Sequence, residues 1–196
     1  SELGAYALRF ALLIALLGLA AGLRAGIARR PEWTRVAERA VFVVSGCVAL
    51  AILILFAAFA NFDYQLAYVA AHSARSMILP YRLAALWGGQ AGSLLLWLFI
   101  LSVYASACVA FQRRQNRSLM PWVAVVVLAN ATFFLVLLCF VTDPFEKLPH
   151  AAVLSDGAGL NPLLQHPVMM IHPVMLYTGL VGFLIPFAFA FAALAT

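Results

Sequence analysis

The stretch LMPWVAVVVLANATFFLVLLCFV, residues 119–141, carries no charged side chain from end to end. A helix needs about 20 mostly apolar residues to cross a hydrocarbon layer about 30 Å thick, and this stretch supplies them. Four further stretches meet the same condition and are bounded by charge, Pro or Gly: Tyr6–Leu23, Ala40–Phe62, Ser93–Phe111 and a last run from about Ile171 to Ala195. Arg9 is the one charge inside any of them, and near the start of a span its stem can snorkel to the interface. The whole chain of 196 residues is 66% hydrophobic and 10% charged, with a mean hydropathy of +1.03. Soluble domains carry about 25% charge, so a water-soluble globule is excluded. So is a disordered chain, which needs low hydrophobicity. No glycine repeat suggests collagen, and Cys47, Cys108 and Cys139 lie in apolar runs without a CxxC pair, which excludes a disulfide scaffold. The fold class expected is an all-α polytopic membrane protein. About five transmembrane helices form one domain, with two long outer-face segments, residues 63–92 and 142–170, that contain short surface helices.

Orientation follows from Lys and Arg in the connections, because cytoplasmic loops collect positive charge. The link from Arg24 to Arg39 also holds Arg29, Arg30 and Arg35, and the link after the third span holds Arg113, Arg114 and Arg117. The two long segments hold only Arg75, Arg82 and Lys147, with Asp63, Asp143, Glu146 and Asp156 beside them. They are expected outside, with the N-terminus outside and the C-terminus inside. The net charge of +5 is thus membrane-boundary arginine, not the single basic face of a nucleic-acid binder. Few polar residues lie within the spans and no inverted repeat is visible, which weighs against a transporter.

All four histidines fall in or beside the two outer segments: His72 in the first, His150, His166 and His172 in the second. The first segment ends WGGQAGSLLLW, residues 87–97. Trp87 and Trp97 suit a membrane interface, and Gly88, Gly89 and Gly92 let another group approach the backbone closely. An aromatic belt and turn is one reading. The other is a flat aromatic shelf on which Arg75 and Arg82 grip carboxylates, near His72. In the second segment, His166-Pro167 and His172-Pro173 stand six residues apart, about 240° round a helix axis, and the prolines argue against a regular segment between them. One imidazole of the two is then a candidate axial ligand to a haem iron. His172 is favoured because it heads a rigid span.

The motifs WGGQAGSLLLW (87–97), preceded by YRLAALW, and LNPLLQHPVMMIHPVMLYTGLVGFLIPFAFAFAAL (160–194) resemble the N-terminal part of the CcmF-type haem lyases of cytochrome c maturation, in the haem-handling protein superfamily. The resemblance implies that haem b, delivered by the chaperone CcmE, is joined through its vinyl groups to the cysteines of a CxxCH motif in apocytochrome c. Such proteins work at the periplasmic face of the cytoplasmic (inner) membrane, with CcmH and CcmI handling the apocytochrome and no nucleic acid involved. The resemblance places an axial haem ligand at His172. Arg75 and Arg82 would then face the propionates, and Trp87 and Trp97 the porphyrin.

Three departures qualify this. The tryptophan-rich segment, the second outer histidine and the intramembrane histidine pair of such lyases fall outside these residues. The usual HPP reads His172-Pro173-Val174, and a position usually acidic is His166, which leaves His166 as an alternative ligand. The expectation is therefore a piece or a split subunit of a longer lyase, incomplete as an enzyme on its own. The alternative is a non-catalytic scaffold that docks the haem chaperone or the apocytochrome-presenting partner.

Overall fold

A computed structural model describes residues 2–149 and 155–196; His150 lies outside the described residues. Its helices are α1 (Glu2–Ala28), α2 (Pro31–Ala60), α3 (Ala67–His72), α4 (Leu79–Ala84), α5 (Gln90–Gln112), α6 (Met120–Phe140), α7 (Pro167–Gly182) and α8 (Leu184–Ala195). Four single helices, α1, α2, α5 and α6, and the α7–α8 pair are long and apolar enough to cross a membrane, five spans in all. Lipid cannot satisfy a bare backbone group, so each span is built of α-helix. Among the described residues the one β pairing is an isolated bridge between Leu66 and Lys147.

Close helix packing in lipid depends on small residues at the contact. The buried face of α1 has them at helical spacing, including Gly4, Ala7, Ala11, Ala15, Gly18, Gly22 and Ala25. A Cβ on Gly18 would lie 2.4 Å from Ala40 Cβ of α2, and one on Gly22 2.9 Å from Val125 Cγ2 of α6, so α1 is wedged between α2 and α6. Next, α2 packs on α5, which also touches α6 and α7, while α8 packs on α6. A serine ladder joins α2 to α5: Ser106 Oγ donates to Ser45 Oγ at 2.7 Å, and Ser45 Oγ donates to the Ser102 carbonyl at 3.0 Å. Leu13, Leu17, Leu53 and Phe133 point outward as lipid-facing side chains do.

The helices run past the apolar stretches that mark them. α1 and α2 together absorb most of the arginine-rich link, leaving Arg29 and Arg30 as a tight turn with Arg29 at φ 51° and Pro31 at the head of α2. The chain between Pro167 and Pro173 is regular helix, contrary to the irregular segment expected from its prolines. Pro167 falls in the first turn, where its missing N–H has no helical acceptor to lose. Pro173 deprives only the Met169 carbonyl of its donor. The last span is two helices that meet at Phe183, because Pro186 cannot donate to the Gly182 carbonyl. Phe183 N–H bonds back to Leu180 O at 3.3 Å instead.

Candidate functional site

The two long inter-helix segments fold against each other at one end of the bundle. Ala67 N–H donates to Glu146 O at 2.9 Å, Leu148 N–H to Gln65 O at 2.8 Å, Ala158 N–H to Ala70 O at 2.8 Å and Gly159 N–H to Ser73 O at 3.1 Å. Asp156 is the side-chain clasp. Its Oδ1 accepts from the Arg75 and Gly157 amides, each at 2.8 Å, and from the Tyr64 hydroxyl at 3.0 Å. Those amides, Arg75 first, hold the Asp156 carboxyl below its ordinary range. Burial, then the bond to Asp156, pushes the Tyr64 hydroxyl up.

Because the folded-state value of Asp156 is depressed, its stabilisation is present above the ordinary carboxylate range and lost as pH falls through the lowered value. Hydrogen exchange at the Arg75 and Gly157 amides, referenced to the Ala67 amide on Glu146, is therefore expected to quicken as the medium is acidified. Asp156→Ala should show the fast rate at neutral pH. Unchanged exchange in both would show that the clasp bears no load.

Behind the clasp, Tyr68 is buried on α3. Its hydroxyl donates to Leu86 O at 2.8 Å and accepts from Gly89 N–H at 3.1 Å. Burial pushes it up to about 12, so it stays a neutral donor. The His72 ring stacks on Tyr68 with centroids 4.3 Å apart, and its Nδ1 bonds to Tyr68 O at 2.9 Å. Its Nε2 lies where a Cβ on Gly89 would be, 2.3 Å from that position. A Cβ on Gly92 would meet Leu86 O at 1.6 Å, and one on Gly88 would meet Leu160 Cδ1 at 2.7 Å. The group that these glycines admit is the chain's own backbone and side chains.

Arg75 and Arg82 converge on Phe62. The Arg82 guanidinium carbon sits 4.0 Å from the ring centroid and that of Arg75 5.6 Å, with Tyr64 5.8 Å from Arg75. Phe62 itself is held at φ 56°. Arg75 Nε donates to Ser155 O at 3.0 Å, whereas Arg82 Nε is buried with no hydrogen-bond partner among the described residues. Between the start of α4 with the residues just before it and residues 158–165 opens a groove of about 560 Å³, lined by Ile78, Leu160, Pro162 and Gln165 among others.

The two tryptophans of the glycine-rich motif part company. Trp87 Nε1–H donates to Met170 O at 3.0 Å, pinning the loop to the first turn of α7. Trp97 lies within α5, edge-on to Phe134 and Tyr177, on the wall of a lateral groove of about 490 Å³ that also includes Asn130 and Phe183. The structure thus brings together Arg75 and Arg82, and separately Trp87 and the start of α7, while Trp97 stands apart among the spans. Trp87→Phe keeps a ring and removes the donor. It is expected to destabilise the protein by about 1 kcal/mol and speed exchange at the start of α7.

His166 is the N-cap of α7: its Nδ1 accepts from Val168 N–H at 3.2 Å, leaving Nε2 as the free nitrogen. His172 is exposed nearly two turns on, two residues past the pinned Met170. Among the described residues no cluster of three His, Cys, Asp or Glu side chains forms a metal site. An imidazole here would serve one axial position and need a second ligand from elsewhere.

A family profile described as "Cytochrome C assembly protein" matches residues 87–196, from Trp87 through both His-Pro pairs to the end. The chain belongs to the cytochrome c assembly protein family. Among similar members of that family, the cytochrome c-type biogenesis protein CcmF of Pseudomonas aeruginosa is 38% identical over 194 residues, covering 98% of this chain and 29% of the relative. CcmF of Escherichia coli is 39% identical over 148 residues, covering 75% and 23%. A solved structure described as "Cytochrome c Heme Lyase CcmF" superposes with a TM-score of 0.83 at 29% identity, covering 99% of this chain and 30% of that one. The chain spans under a third of the length of the curated relatives it matches. His72, Arg75 and Arg82 precede the region matched to the cytochrome c assembly protein profile.

Tyr68 and Asp156 organise this end of the chain and have no motif of their own. Tyr68 carried one available signal, its position four residues before His72 on one helical face.

Proposed function

We propose that the chain is the haem-presenting part of a cytochrome c haem lyase, with haem b as its substrate. In this reading the Asp156-clasped end faces the periplasm and the arginine-rich end the cytoplasm, across the inner membrane. The observation that carries it is the exposed His172 ring on α7, two residues from the Met170 carbonyl that Trp87 holds. A ligand imidazole has to be aimed, and a pinned helix start aims it. His166, with one nitrogen already capping the helix, is the weaker candidate.

The residues present suit haem in two respects. His172 accepts no hydrogen bond in the described chain that would tie up its ring, and Arg82 has a buried Nε without a partner, a donor suited to a propionate. Arg75 stands on the same Phe62 ring and adds a second cation. The reaction joins a cysteine S–H of apocytochrome c across a haem vinyl C=C: a C–S bond forms, the hydrogen goes to the neighbouring carbon, and nothing leaves. The chain has no CxxCH of its own and is not the acceptor. CcmE as haem donor and CcmH or CcmI as presenters of the acceptor belong to the same proposal.

Titrating the purified protein with haem tests the reading directly. Wild type and His166→Gly are expected to give the absorbance of histidine-ligated haem, and His172→Gly to give it only when imidazole is added. Equal spectra from wild type and His172→Gly without imidazole would overturn the ligand assignment. They would leave the scaffold reading in its place.

A further inference from the structure

At the end of the bundle opposite the clasp, arginines of α2 and of the α5–α6 connection converge on one place. A cavity of about 310 Å³ is walled by Arg35 from α2 and by Arg113, Arg114 and Arg117 from the α5–α6 connection, with Glu38 as its one acidic member. A second cavity, of about 280 Å³, shares Pro31, Thr34 and Arg117 with it. Its character differs: Ala25, Gly26, Pro121 and Trp122 line it, together with Arg29 and Arg30. The ion pairs among the described residues are Arg9–Asp143 and Lys147–Glu2, both at the other end, so these arginines are not paired with carboxylates. Arg24, by contrast, is stacked on Trp33, 4.8 Å from its ring, outside both cavities.

A loop that merely obeys the positive-inside rule spreads its arginines into water. Here four guanidinium groups, one from α2 and three from the α5–α6 connection, border one pocket, and an apolar pocket with an interfacial tryptophan adjoins it. That pairing has the form of an anionic amphiphile: phosphate oxygens among the guanidinium forks, glycerol and the first acyl carbons against Trp122. We infer that the joined cavities between the α1–α2 turn and the α5–α6 connection bind the phosphate headgroup of one anionic phospholipid. Membrane depth argues for a lipid over a free phosphate, since the cavities open where α2, α5 and α6 end.

The test uses delipidated protein reconstituted in nanodiscs of phosphatidylcholine alone or with phosphatidylglycerol, followed by native mass spectrometry and thermal unfolding. Wild type should retain phosphatidylglycerol selectively and unfold at higher temperature with it. Arg35→Gln, Arg113→Gln and Arg117→Gln should each weaken retention roughly fivefold. Arg35→Lys should keep part of it, and Arg24→Gln, an equal loss of charge outside the cavities, all of it. Equal retention of both lipids, or equal loss in Arg24→Gln, would overturn the inference. So would the same thermal shift from inorganic phosphate, which would make this a free-anion site. Because haem ligation by His172 lies at the opposite end, the haem titration is expected to be unchanged in these variants, so failure of one reading leaves the other standing.

Discussion

His172→Gly is expected to lower cytochrome c assembly by roughly tenfold or more in cells that depend on this protein, and imidazole in the medium to restore a measurable part of it. The size follows from what the residue is asked to do. An axial imidazole fixes the orientation of the ring whose vinyl groups must meet two cysteines, and misplacement by about 1 Å can cost about a hundredfold in rate. The side chain is exposed, so its removal leaves no cavity; a glycine inside α7 costs about 1 kcal/mol of helix propensity, and added imidazole can restore ligation but not that stability. That separates this variant from the ordinary destabilised mutant. His166→Gly is the companion measurement: it removes the side-chain cap of α7, but glycine is well tolerated at an N-cap, so stability should fall by only a few tenths of a kcal/mol and assembly should persist. If His166→Gly abolished assembly and His172→Gly did not, the roles would be reversed. Unchanged assembly in both would remove haem ligation from this segment.

Gly92→Ala is expected to have the largest effect on the fold. The added methyl would sit 1.6 Å from Leu86 O and 2.6 Å from the Tyr68 hydroxyl, the two atoms that bond to each other between α3 and the turn preceding α5. Overpacking costs about 1–3 kcal/mol where side chains can yield. Here the first obstacle is backbone, so the loss should reach or exceed the top of that range, seen as a lower unfolding temperature and faster exchange around Tyr68. Gly46→Ala is the control, because nothing lies within 4 Å of the new methyl and a mid-helix alanine is favoured over glycine. A Gly92→Ala protein as stable as wild type would mean that Leu86 and α5 are free to separate.

Much of the bundle was legible because hydropathy needs no neighbour to be read. Residues 119–141 signal a span by themselves, and α6 occupies Met120–Phe140. The division of the last span was less visible: Pro186 was in plain view, but a proline inside an apolar run leaves the hydropathy unchanged. Gly88 and Gly92 mark places of close approach in the sequence, yet only the folded chain shows that Leu160 and Leu86 are what approaches. Trp97 shows the opposite difficulty. Near the start of a span it resembles an interface anchor, and only the positions of α6 and α7 show it packed edge-on to Phe134 and Tyr177. The small-residue face of α1 is a pattern whose meaning depends on which helices come to lie against it.

The Asp156 clasp also fixes an order of events during synthesis. Asp156 is bonded to an amide 81 residues earlier in the chain, with α5 and α6 between them. At about 5–20 residues per second, the ribosome leaves Arg75 and Tyr64 waiting on the order of ten seconds for their partner. During that interval α5 and α6 must both enter the membrane, and the first segment stands open, its backbone groups unclaimed. The clasp closes only after four spans are in place, so its closure marks a correctly threaded bundle.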